Sequence, residues 1–133
     1  MDVCLPVEKS QTFYSQQHLW FLPVRQQQLM LGITEFYQDQ LSDVLFVNFM
    51  VAAGEALAAN TVICTLESAK ALIEIQLPFS ATLQQINSGI LAEPALINQQ
   101  PESAGWLVLM EAGKTVWQKN LLTAEQYQRY LDQ

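Results

Sequence analysis

A chain of 133 residues, half of them apolar, is long enough to bury one core and too short for two full domains. Thirteen acidic against six basic residues give a net charge of −7, leaving few cations to meet nucleic-acid phosphates or an anionic membrane surface. The longest apolar run, Val44 to Ala53, is broken by Asn48 and falls short of the roughly 20 residues that span a bilayer.

In chain order, residues 1–12 read as an extended N-terminal segment of a single domain covering 1–133. The segment lacks a basic-then-apolar signal pattern and an Arg- and Ser-rich transit pattern, so a cytoplasmic, bacterial setting is expected. Strands are predicted at His18–Leu22 and Gln28–Ile33, with Pro23 and Gly32 as breaks. Thr34 then caps a short helix running to about Leu41, with Glu35 in its first turn. Further strands follow at Val44–Phe49, Thr61–Glu67, Ala71–Leu77, Ala81–Ile86 and Trp106–Met110. Gly54, Pro78, Ser88-Gly89 and Gly105 punctuate them, and one helical turn is expected near Pro94–Ile97. Thr123 and Gln126 form a capping box for a last helix, Ala124 to about Leu131, with Leu122 and Tyr127 at the staple positions. Many short strands at close spacing predict a mainly β barrel or sandwich.

Cys64 alternates with Val62 and Leu66 and reads as a small core residue, while Cys4 lies in the tail. A disulfide between them is disfavoured in a reducing compartment. With no CxxC and one histidine, His18, no zinc or iron–sulfur ligand set is evident. His18 beside Trp20 reads as structural, and Trp106 as core.

The chemistry concentrates between residues 61 and 77. Two β-rich runs flank Ser68-Ala69-Lys70-Ala71, so the chain folds back there as a hairpin. Beyond the turn, Ile73, Ile75 and Leu77 alternate with Leu72, Glu74 and Gln76, the period of a half-buried strand. Lys70 therefore projects from the turn between small neighbours, and another protein's active site could close around its stem. Between Ser10 and Gly113 it is the only lysine, with Arg25 the only other base, so an acylating enzyme meets few competing amines. Glu67 and Glu74 mark it on either side. An ordinary solvated turn lysine shows the same spacing, and the residues by themselves leave that alternative open.

Glu67-Ser68-Ala69-Lys70-Ala71 resembles the Glu-Ser-Val-Lys-Ala segment of the glycine cleavage system H proteins. The likeness extends over His18-Leu19-Trp20, Gly32-Ile33-Thr34, Gln40 to Val47, Gly54, Ile86-Asn87, Pro94 to Asn98, Pro101 and Gly105-Trp106-Leu107, in the same order and spacing. It implies a lipoyl/biotinyl-type barrel-sandwich hybrid carrying lipoate as an amide on Lys70. Glu67, Ser68, Ala69 and Ala71 would be the recognition segment, and Glu74 an acid near the arm. It implies a non-catalytic, monomeric carrier that shuttles an aminomethyl group, loaded by a lipoate ligase or lipoyltransferase. The implied partners are the glycine decarboxylase (P-protein), the aminomethyltransferase (T-protein) and the dihydrolipoyl dehydrogenase (L-protein), with no nucleic acid or membrane.

Departures from the pattern are specific. Leu19 stands where the family has a glutamate, Phe36 where some members have histidine, and Gln100-Pro101-Glu102-Ser103 where the family has Asp-Pro-Tyr-Gly. Ser80-Ala81 replaces a Ser-Gly turn. The loss of an acid at position 19 keeps other readings in play: an H-like carrier serving sulfur oxidation or lipoate relay, or an unmodified interaction module. A biotin carrier would present Met-Lys-Met where this chain has Ala69-Lys70-Ala71.

Overall fold

The structure, a computed structural model, describes residues 12–25 and 27–133. Its strands pair antiparallel throughout, in two sheets. The larger sheet runs in the order β1 (Phe13–Tyr14), β2 (Leu19–Arg25), β3 (Gln28–Ile33), β9 (Val108–Glu111), β8 (Ala81–Ile86) and β5 (Ala56–Leu57). The smaller consists of β4 (Val44–Phe49), β6 (Val62–Ser68) and β7 (Leu72–Gln76). Helices α1 (Glu35–Leu41), α2 (Gly89–Ala92), α3 (Ala95–Gln99), α4 (Lys114–Trp117) and α5 (Ala124–Leu131) sit in the connections and at the end of the chain.

One core joins the two sheets. Phe21, Leu31 and Leu83 from the larger meet Ile63, Leu66 and Ile75 from the smaller, all at most 2% exposed. Burying each such side chain contributes about 1.5–3 kcal/mol, so the facing strands hold the sandwich closed. A second cluster, Trp20, Met30 and Leu109, packs on the opposite face of the larger sheet, with Trp106 against it. Trp20 Nε1 donates to the Pro101 carbonyl at 2.8 Å, tying the loop after α3 over that face.

Several expectations need correction. Pro23 does not end its strand: β2 continues to Arg25. β1 pairs only with Phe21 and Trp20 of β2, so among the described residues no strand pairs with the outer edge at Pro23, where a missing N–H breaks no ladder bond. Gly32 is no break either, because it sits inside β3 opposite Trp20. Val62 and Cys64 do not alternate simply, since a bulge between them turns both Ile63 and Cys64 inward. The strand predicted from Trp106 starts at Val108, whereas the helical turn expected near Pro94 forms, as the short helix Ala95–Gln99. The sequence pattern does not predict β1, β5, α2 or α4. The extended segment proposed for residues 1–12 and the tail cysteine Cys4 lie almost wholly outside the described residues.

The two capped helices form as expected. Thr34 Oγ1 accepts from Tyr37 N at 3.2 Å at the start of α1. At α5 the box closes both ways, Gln126 N to Thr123 Oγ1 at 3.2 Å and Thr123 N to Gln126 Oε1 at 2.9 Å. α5 docks through Tyr127, whose ring stacks on Tyr14 with centroids 4.6 Å apart.

Candidate functional site at the hairpin

β6 and β7 pair from Val62–Gln76 to Glu67–Leu72, so the chain must reverse between Ser68 and Ala71. Ser68 makes that reversal tight. Its N–H donates to the Ala71 carbonyl at 2.8 Å, and its hydroxyl oxygen accepts from Lys70 N at 3.2 Å and Ala71 N at 3.1 Å. A side-chain oxygen thus satisfies two turn amides that would otherwise need water. Ala69, Lys70 and Ala71 are all exposed, and no bulky neighbour flanks the lysine.

The Lys70 ammonium reaches across to α1, where Nζ donates to the Gln40 carbonyl at 3.3 Å. That carbonyl lies in the last turn of the helix and has no partner along the helix itself. Asn98 of α3 sets its position. The Asn98 side chain accepts from Val44 N at 2.8 Å and donates to the Ser42 carbonyl at 2.7 Å and to Gln38 Oε1 at 3.1 Å. Val44 pairs with Ser68, so one asparagine links the end of α1 to the strand beside the hairpin.

Along β7 lies a cleft of about 130 Å³, lined by Gln17, Leu19, Tyr37, Glu74, Ile75 and Gln76. Glu74 is therefore brought beside Leu19, the position at which the sequence departs from its pattern. Leu19 is 2% exposed and belongs to the core, so the cleft has an apolar wall and one carboxylate. His18 points elsewhere. Its φ of 68° turns its ring outward onto Phe36, with centroids 4.6 Å apart, while Leu19 faces inward. The His18 Nδ1 lies 2.8 Å from the Tyr127 hydroxyl, which lies 3.1 Å from Thr34 Oγ1. Either hydroxyl can donate across the Thr34–Tyr127 contact, and the ring nitrogen of a neutral His18 can accept from Tyr127 or donate to it according to its tautomer. Burial lowers the His18 pKa and so favours the neutral ring.

Glu67 does not line the cleft, although it shares the outer face of the smaller sheet with Glu74. It sits on the exposed face of the smaller sheet between Phe46 and Leu72. Thus Ser68, Ala69, Lys70 and Ala71 form the turn, Glu67 its base, and Glu74 the neighbouring cleft. Sequence reasoning missed Gln17, Tyr37 and the Gln40 carbonyl, whose places arise from packing between elements distant in the chain. Among the described residues, no helix is long and apolar enough to cross a membrane.

The family model for the glycine cleavage H-protein matches residues 12–133. The chain belongs to that family. It is 30% identical over 118 residues to the glycine cleavage system H protein of Coprothermobacter proteolyticus, covering 89% of this chain and 92% of that one. It is 33% identical over 120 residues to the H protein of Anoxybacillus flavithermus, covering 90% and 93%. The crystal structure of the H protein from Mycobacterium marinum superposes with a TM-score of 0.79 at 25% identity, over 95% of this chain and all of that one. The two sheets are accordingly the barrel-sandwich arrangement of lipoyl-type domains.

Proposed function

We propose that this family member is a lipoyl carrier of glycine cleavage, a non-catalytic subunit whose Lys70 takes lipoate in amide linkage. The observation that carries the reading is the geometry of Lys70: exposed, on a turn of small residues, with the turn amides satisfied by Ser68. The residues fit such a group, because Lys70 is exposed between two exposed alanines and, among the described residues, Nζ hydrogen-bonds one carbonyl. Lipoate would supply a dithiolane at the end of a long arm, a ring that can open to take a carbon unit and, once that unit has left it as a dithiol, give up two electrons on reoxidation.

The chain's own residues prepare the nitrogen. Ser68 holds the turn so that the lysine is presented outward, and the modifying enzyme must take the ammonium proton before Nζ attacks. An acylated Nζ keeps one N–H, enough for the contact with the Gln40 carbonyl, so the arm would start from the same point after modification. Tethering then keeps the reactive end at high local concentration for each enzyme visited in turn. Glu74 contributes the carboxylate of the adjoining cleft, and Leu19 and Tyr37 its apolar side. The partners in this reading are a lipoate ligase or lipoyltransferase and the P-, T- and L-proteins, met by a monomer in the bacterial cytoplasm.

The test is intact mass after co-expression with a lipoate ligase and lipoate. The wild type gains one lipoyl group and Lys70→Arg gains none. No gain on the wild type, with a control carrier modified, refutes the proposal.

A second reading follows from Leu19. A cleft with one carboxylate is less suited to a cationic aminomethyl cargo, which favours an H-like carrier in another redox pathway, such as sulfur oxidation or lipoate relay. Mixing the lipoylated protein with the decarboxylase and labelled glycine separates the two. Loading of label supports glycine cleavage. Failure rescued by Leu19→Glu assigns the block to position 19, and failure in both forms favours another pathway.

A further inference from the structure

The bulge between Val44 and Phe46 breaks the alternation of β4, so Leu45 and Phe46 are both exposed. From Phe46 the pairing runs straight across the smaller sheet, Phe46 to Glu67 to Leu72. With strands about 4.8 Å apart, this row is about 10 Å wide. Phe46 is 60% exposed and Leu72 61%. The next row on that face is Asn48, Thr65 and Glu74, with Thr65 half-buried. One apolar side chain on a surface needs no explanation, but two large ones flanking an acid at the base of a functional turn form a patch.

We infer that this row is the docking surface for the enzyme that acylates Lys70, met by an apolar pocket bordered by Lys or Arg. The inference rests on the carrier reading and deepens it. Glu67 and Leu72 are the paired residues that open the hairpin, so an active site closing over Lys70 lays its rim on this row. Charge selects the kind of partner. The face carries Glu67 and Glu74 in a chain of net charge −7, so a second copy stacked on it would set acid against acid. A basic rim pairs with those acids while its pocket takes Phe46 and Leu72, the arrangement of an apolar anchor within a polar border.

The test titrates unmodified carrier against a lipoate ligase with ATP and lipoate, following lipoyl mass on the protein. Wild type is compared with Phe46→Ser, Leu72→Ser and Glu67→Gln, with Glu125→Gln on α5 as a charge control. Thermal melting checks that each variant is folded. The surface predicts that Phe46→Ser and Leu72→Ser each raise the KM for the carrier about tenfold, the effect of losing an interface anchor. The kcat should stay within about twofold, because uniform binding and not the chemical step is lost. Glu67→Gln should flatten the rise of KM with salt, and Glu125→Gln should leave it unchanged. Mass gain on the wild type with unaltered KM in both apolar variants overturns the surface and leaves the carrier reading intact. No mass gain on the wild type overturns both. A wild-type dimer that dissociates on Phe46→Ser assigns the face to a second copy and overturns the inference as well.

Discussion

Gly32 and Trp20 face each other across β2 and β3, and a Cβ placed at Gly32 would lie 2.7 Å from the indole. Gly32→Ala must push Trp20 off its bond to Pro101, and overpacking of this kind costs about 1–3 kcal/mol. Urea unfolding followed by tryptophan fluorescence should show that loss. His18 makes the fold sensitive to acid. Burial lowers its pKa from 6.5, so the unfolded chain takes up the proton more readily than the folded one. The stability it contributes is complete above that unfolded value and is lost as pH falls through the lowered folded value. Melting at about pH 7.5 and pH 5.5 should show a larger loss on acidification for the wild type than for His18→Gln. Cys64, wholly buried, has its pKa pushed up to about 12 by desolvation, so native protein should not react with thiol reagents until it unfolds.

Elements differ in how much of themselves they carry locally. β3, β4 and β8 match the ranges read from the sequence because apolar patterning and flanking turn residues bound them. α1 and α5 match because their caps are written within three residues. β1 and β5 have two residues each and exist only through partners far along the chain, which no local pattern encodes. The bulges in β4 and β6 are equally nonlocal, being offsets between two strands. α5 offers a direct check on local capping. Thr123→Ala should lower stability by about 1 kcal/mol, measured by denaturant unfolding, by leaving the Gln126 amide without its acceptor. Tyr127→Phe removes the hydroxyl between His18 and Thr34 and should cost a similar amount, about 0.5–1.5 kcal/mol.

At the scale of the whole molecule, the candidate site divides by the same logic. Lys70 and its small neighbours are legible in sequence because a turn is local, and the acids Glu67 and Glu74 because they share its strands. The cleft is not legible, since Gln17, Leu19 and Tyr37 reach β7 only when the larger sheet and α1 close on the smaller sheet. Nor could sequence place Phe46 beside Leu72, a neighbour relation made by β6 between them. A net charge of −7 acts over the same scale. If partners meet this acidic surface with basic ones, their KM for the carrier should rise steadily with ionic strength, a dependence that steady-state titrations in salt would reveal.

Cys64 has a consequence for a protein proposed to convey a disulfide. A thiolate within reach of such a group would attack it and divert electrons before any enzyme arrived. Here the sulfur lies between the sheets with its ionisation suppressed. Among the described residues the body of the protein is in that respect an insulator, and on the proposed reading redox traffic there is left to the arm and the enzymes it visits.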